Sequence, residues 1–123
     1  MDKQLEMIDG QTWREFVGSD VAVLMLGKSD CEACARWTEE LNAFLASEPG
    51  FAGVRFGKML LDQRGLTDFK RDNGAWLKDV DVLPFNLIYR QGKIEKSFAG
   101  SGLDRLTNRL RNVLEAAAGA SGA

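Results

Sequence analysis

The run Val21-Ala22-Val23-Leu24-Met25-Leu26 is apolar without interruption, and a strand with no polar alternation is one buried on both faces. Such a strand needs a packed layer on each side of its sheet. From Cys31 onward the apolar period becomes that of a helix: Trp37, Leu41, Phe44 and Leu45 share one face, while Glu39, Glu40 and Asn42 fall elsewhere. Ser29 or Asp30 is placed to cap this helix and Glu48-Pro49-Gly50 to stop it. Strand, loop and helix form a βα unit, whose usual ligand crevice lies beyond the strand's C-terminal end, at the helix N-terminus. Cys31 and Cys34, the two cysteines of the chain, fall in that first helical turn.

The remaining elements are shorter. Thr12 to Gly18 reads as a helix with Trp13, Phe16 and Val17 on one face. Val54 to Leu61 is a second strand, ending at Asp62. Leu66 to Trp76 holds a helical turn or two, interrupted at Asn73-Gly74. Phe85 to Tyr89 and Ile94 to Phe98 flank Gln91-Gly92, which carries the glycine a tight hairpin needs. A closing helix has the stripe Leu103, Leu106, Leu110, Val113, Leu114, Ala117. Residues 119–123 have nothing to bury and are expected to form a disordered tail. The 123 residues suit one domain, over 1–118. The order predicts an α/β fold: a mixed sheet of four to five strands with helices on both faces, parallel at the front and closed by an antiparallel hairpin.

At 45% hydrophobic and 28% charged residues the composition is that of a folded globular chain. The net charge of -2 gives no electrostatic reason for nucleic acid or an anionic membrane to bind. No basic start followed by an apolar stretch marks a secretory signal, and the longest apolar run falls far short of the roughly 18 residues that span a bilayer. A cytoplasmic protein is the expectation. In that compartment a lone cysteine pair is reactive or metal-binding more often than a structural staple. Histidine is absent, which removes His-based triads and proton shuttles. A mononuclear zinc site needs four ligands, and no second Cys or His pair exists unless a dimer shares them.

Cysteines three apart lie on one side of a helix, and their sulfurs can meet across one turn. The unpartnered N–H groups of the first turn and the helix dipole favour a thiolate on the first of them. Cys31 is thus the candidate nucleophile and Cys34 the thiol that resolves a mixed disulfide. A structural pair and a metal pair remain as the alternatives.

Several pieces taken together resemble the thioredoxins over about Ile8 to Leu114. They are the strand leading to Cys31-Glu32-Ala33-Cys34, Lys58 to Asp62, Leu83-Pro84-Phe85, the hairpin Arg90-Gln91-Gly92-Lys93 and Phe98-Ala99-Gly100. The resemblance implies a cis bond before Pro84, with Leu83 offering its backbone to an extended substrate segment and Gly100 keeping the opposite wall of the groove low. A proline opening a strand leaves a ladder position free, which gives this arrangement a physical sense.

The departures are informative. Thioredoxins usually have tryptophan before the first cysteine and Gly-Pro between the two, where this chain has Asp30 and Glu32-Ala33. Carboxylates beside the nucleophile disfavour its thiolate and so favour the disulfide, which argues for a reducing couple; Lys28 offsets some of this. The buried aspartate six residues before the first cysteine is replaced by Met25, leaving Lys58 without the carboxylate it would pair with. Slow or pH-shifted resolution by Cys34 is the expectation. The segment from Asp68 to Val82 is longer than the family's usual connection and carries Trp76, a candidate specificity element.

The resemblance implies a thiol-disulfide oxidoreductase that reduces protein disulfides, needs no bound cofactor or metal, draws electrons from a donor such as a thioredoxin reductase, and works as a monomer. The alternative is a thioredoxin-fold binding or adaptor module in which redox turnover is incidental. For Asp30 and Lys58 the plainer readings are a helix cap and a snorkelling surface lysine, and for Arg105, Arg109 and Arg111 a solvated helix face.

Overall fold

The computed structural model describes residues 4–47 and 49–121. Its elements run β1 (Glu6–Met7), α1 (Trp13–Val17), β2 (Val21–Gly27), α2 (Glu32–Ala46), β3 (Val54–Leu60), α3 (Thr67–Asp72), α4 (Gly74–Leu77), β4 (Phe85–Arg90), β5 (Lys93–Ala99) and α5 (Leu103–Ser121). One five-stranded sheet results, in the order β1-β3-β2-β4-β5. The first three strands are parallel, and β4 and β5 are antiparallel to their neighbours.

All seven residues of central β2 are buried, as its unbroken apolar run requires. Val21, Val23 and Met25 face one core with Trp37, Leu41 and Leu45 of α2 and Leu106, Leu110 and Val113 of α5. Ala22, Leu24 and Leu26 face a second core with Trp13, Phe16 and Val17 of α1 and Phe69 of α3. The two layers anticipated from β2 are these two cores.

Two details depart from the sequence reading. Glu6–Met7 forms an edge strand registered on Gly57 and Lys58; it is too short and too polar to show apolar alternation, and β3 supplies its pairing. The 66–76 region, as expected, holds two short helices, α3 and α4, with Asn73 between them. The closing helix runs to Ser121, so the first residues of the expected 119–123 tail are helical. Ala116-Ala117-Ala118 are strong helix formers and carry it past its apolar stripe. Residues 122 and 123, like Glu48 of the expected stop, lie outside the described residues.

The hairpin turn between β4 and β5 has positive φ at Gln91 (51°) and Gly92 (86°), the backbone that a two-residue loop of this kind demands. Edge strand β5 exposes Lys93, Glu95 and Lys96.

Candidate functional site

Parallel β2 and β3 end together where Gly27 pairs with Leu60. β4 begins at the same end of the sheet, with Phe85 beside Leu26 and, on its other side, Ala99 at the end of β5. The loop before α2, Asp62, Leu83-Pro84 and Gly100 are therefore collected at one end of the sheet. Sequence separation is large, yet the register leaves no other arrangement.

Cys31 is the N-cap of α2, with φ -101° and ψ 108°, and its Sγ accepts the Cys34 N–H at 3.1 Å. The cap expected from Ser29 or Asp30 thus falls to the cysteine itself. Ser29 is engaged elsewhere, donating its N–H to both Asp62 carboxylate oxygens at 3.2 Å and bonding the same carboxylate through its hydroxyl. That hydroxyl contact is the main reason the Asp62 carboxyl lies below the usual carboxylate range, against a smaller opposing effect of burial. Asp30 and Glu32 are exposed, so solvent screens their effect on the sulfur.

Cys31 and Cys34 form a disulfide with Cα atoms 5.2 Å apart. Their environments differ: Cys31 is half-buried, whereas Cys34 is 0% exposed and sits in the core with Met25, Trp37 and Phe98. One sulfur is approachable and the other is shielded. Met25 and Lys58 are register partners on β2 and β3, and Lys58 is half-buried on the strand face of Val54 and Phe56. It makes no ion pair among the described residues.

The Leu83–Pro84 bond is cis. Pro84 is buried and Leu83 half-buried, and neither the N–H nor the C=O of Leu83 makes a hydrogen bond among the described residues. Gly100 donates its N–H to the Pro84 carbonyl at 2.7 Å and has φ 87°, where a side chain would be strained. Beside Leu83 lies a groove of about 490 Å³, bordered by Lys28 and Asp62 on one side and by Lys70, Leu77 and Val80 on the other. The 68–82 segment forms that second side. Trp76 anchors it, stacking on Phe85 at 6.4 Å and meeting Phe69 edge-on at 6.3 Å.

Three features escaped sequence reasoning. The Ser29–Asp62 clamp joins two loops whose proximity only the sheet register creates. Arg105, expected on a solvated face, donates to the carbonyls of Ala99 and Ser101 at 2.9 and 2.7 Å and lies over the Phe98 ring at 4.8 Å, bracing the turn at Gly100. Asn86 is 1% exposed, the one buried polar residue among the described residues. A lone asparagine within the apolar run Phe85-Asn86-Leu87-Ile88-Tyr89 was the available signal, since a buried amide must find partners.

No family model matches the chain, and no curated protein matches its sequence. Solved structures do match its shape. Thioredoxin from Trypanosoma brucei brucei superposes with a TM-score of 0.72 at 18% identity, over 94% of this chain and 95% of that one. Spinach chloroplast thioredoxin f gives 0.71 at 17% identity over 89% and 86%. Oxidised mitochondrial thioredoxin 3 of Saccharomyces cerevisiae gives 0.66 at 16% over 88% and 94%. At these identities the likeness is one of fold.

Proposed function

We propose, from the premise that this chain has the thioredoxin fold, that it is a thiol-disulfide oxidoreductase that reduces protein disulfides. The observation that carries the reading is the asymmetry of the pair: Cys31 is half-buried at the N-cap with its sulfur on a helix N–H, and Cys34 is fully buried behind it.

In the reduced chain the Cys31 thiolate attacks one sulfur of a substrate disulfide. A mixed disulfide forms and the first substrate thiolate leaves. The Cys34 thiolate then attacks the Cys31 sulfur, releasing the second substrate thiolate and closing the Cys31–Cys34 disulfide. Two electrons pass to the substrate, and an external dithiol donor of the thioredoxin-reductase class restores the pair. The dithiol itself carries the electrons, so the reaction needs no cofactor or metal. The helix N–H groups around Cys31 hold negative charge on its sulfur. Leu83, with its N–H and C=O unpaired, supports an extended substrate backbone beside the dithiol. No carboxylate sits at Met25, so water or another group takes the Cys34 proton.

Among the described residues no helix is long and apolar enough to cross a membrane. The adaptor reading makes the opposite prediction about the cysteines. With Cys34→Ser, partner proteins are captured covalently on Cys31 and released by dithiothreitol; undiminished binding with both cysteines replaced refutes the enzyme and supports the adaptor. A reduction potential at or above the glutathione poise would overturn the reducing direction.

A further inference from the structure

Asn86 lies two residues after Pro84, on the face of β4 turned toward α2 and α5, with Met25 and Phe98 as its cross-strand neighbours. Its side chain makes three hydrogen bonds. The Oδ1 accepts the Trp37 indole N–H at 2.8 Å, and the Nδ2 donates to the carbonyls of Gly100 at 2.8 Å and Phe98 at 3.3 Å.

The bond to Gly100 answers a deficit in the ladder. Phe85 pairs with Ala99 and Asn86 with Phe98, so Pro84 stands opposite Gly100 in the same register. In an antiparallel sheet two residues of a bonded pair exchange both N–H···O=C bonds. Gly100 gives its N–H to the Pro84 carbonyl at 2.7 Å, but proline has no N–H to return. The Gly100 carbonyl would be left unpaired at the end of the sheet, and the Asn86 amide takes the place of the missing donor. Meanwhile the Asn86 carbonyl oxygen holds Trp37, which lies one turn beyond Cys34 on α2 and is 0% exposed.

We infer that Asn86 is a positioning residue: it fixes the turn at Gly100, which the resemblance to thioredoxins puts on one wall of the substrate groove, while Trp37 of the helix bearing the dithiol holds its amide oxygen. The inference rests on the oxidoreductase reading for its functional consequence, and on the three hydrogen bonds for its geometry. Only a primary amide meets both demands: leucine would fill the space with no polar atom, and aspartate would keep the acceptor for Trp37 while presenting oxygen to two carbonyl oxygens.

The test separates the two arms. Asn86→Asp removes the donors to Gly100 and keeps the acceptor; Trp37→Phe removes the indole donor and leaves Gly100 held. Reduction of insulin, a protein disulfide, is compared with reduction of a small aromatic disulfide that needs no groove. Asn86→Asp is expected to raise KM for insulin about ten-fold, the factor that 1.4 kcal/mol represents, with kcat and the small-disulfide rate within about two-fold. Trp37→Phe is expected to leave that KM within about two-fold. Equal losses on both substrates, or an unchanged KM in Asn86→Asp, would overturn the inference. If Asn86→Asp does not fold, exchange of the Asn86 side-chain amide protons in the unaltered chain decides: slowed exchange supports it and exchange at the free-amide rate refutes it. If the unaltered chain reduces neither substrate, the oxidoreductase reading fails, and the same exchange measurement still judges the geometry.

Discussion

Gly27→Ala places a methyl group against the shielded sulfur. A Cβ built at residue 27 lies 3.2 Å from both the Cβ and the Sγ of Cys34, and 3.6 Å from Cε of Met25. The Met25 distance is ordinary contact and its side chain is flexible. The two Cys34 contacts are a few tenths of an ångström too close, and α2 yields little because Trp37, one turn on, is buried and hydrogen-bonded. Overpacking of this kind costs ~1–3 kcal/mol. The contact with Cys34 Cβ acts in both redox states. The contact with Sγ is fixed only while the disulfide holds the sulfur, because a free thiol turns about χ1 to another rotamer. With about 1 kcal/mol of the total acting on the disulfide form alone, the reduction potential rises by ~20 mV, from the equivalence of roughly 30 mV and 1.4 kcal/mol. The assay equilibrates the variant in glutathione or dithiothreitol buffers and reads the dithiol fraction by thiol alkylation, with urea melts of both forms alongside. The expected pattern is a loss of stability in both forms and a larger loss in the oxidised one. Equal losses with an unchanged potential, or a potential that falls, would refute the steric reasoning.

Met25→Asp puts a carboxylate beside Lys58 and near Cys34; decay of a trapped mixed disulfide should accelerate at least five-fold, on the low side of what a positioned acid–base group supplies, roughly 10²-fold or more, and an unchanged rate across pH would remove the proton-transfer argument. That variant should be less stable, and more so as pH rises, because an acid buried among apolar groups holds its proton more tightly in the folded chain than in the unfolded one. Trp76→Ala removes the stack on Phe85 that anchors the 68–82 segment; KM for a protein disulfide should shift several-fold with small-disulfide kinetics unaltered, and unchanged protein kinetics there or on deleting residues 74–78 would end its role in partner choice. Burial holds the Tyr89 hydroxyl well above the ordinary tyrosine range. The folded chain therefore keeps that proton after the unfolded chain releases it near pH ~10, and the stability it contributes is present below that pH and lost above it. Tyr89→Phe should flatten the alkaline fall of urea midpoints between pH 9 and 11, and an identical fall in both proteins would sink the assignment.

Much of the fold was legible because β2 and α2 announce themselves through different apolar periods. The spacing of the pair at 31 and 34 and the hairpin glycine followed from backbone chemistry, whereas the cis bond before Pro84 was implied only by the resemblance to thioredoxins. What stayed hidden depended on register. Asp62 meets Ser29, and Asn86 meets Gly100, only because β3 and β4 end beside β2, and no spacing in the chain encodes either encounter. The helix cap was misplaced for the same reason: Ser29 is a good capping residue in isolation, but Asp62 draws it away and Cys31 takes the position. Likewise β1 owes its existence to its neighbour, with Glu6 further held by Arg55, which also bonds Glu15.

The charged rim of β5 bears on how this molecule meets other chains. Exposed Lys93, Glu95 and Lys96 discourage a visiting strand from extending the sheet on that side, and β1 on the other side offers only Glu6 and Met7. With both outer borders defended, Leu83, whose N–H and C=O make no hydrogen bond among the described residues, keeps main-chain groups open at the sheet end that holds the dithiol. On the reading proposed above, a guest seated there would be admitted one short segment at a time, beside the sulfur it reacts with, and would not be offered a long ladder on which to aggregate.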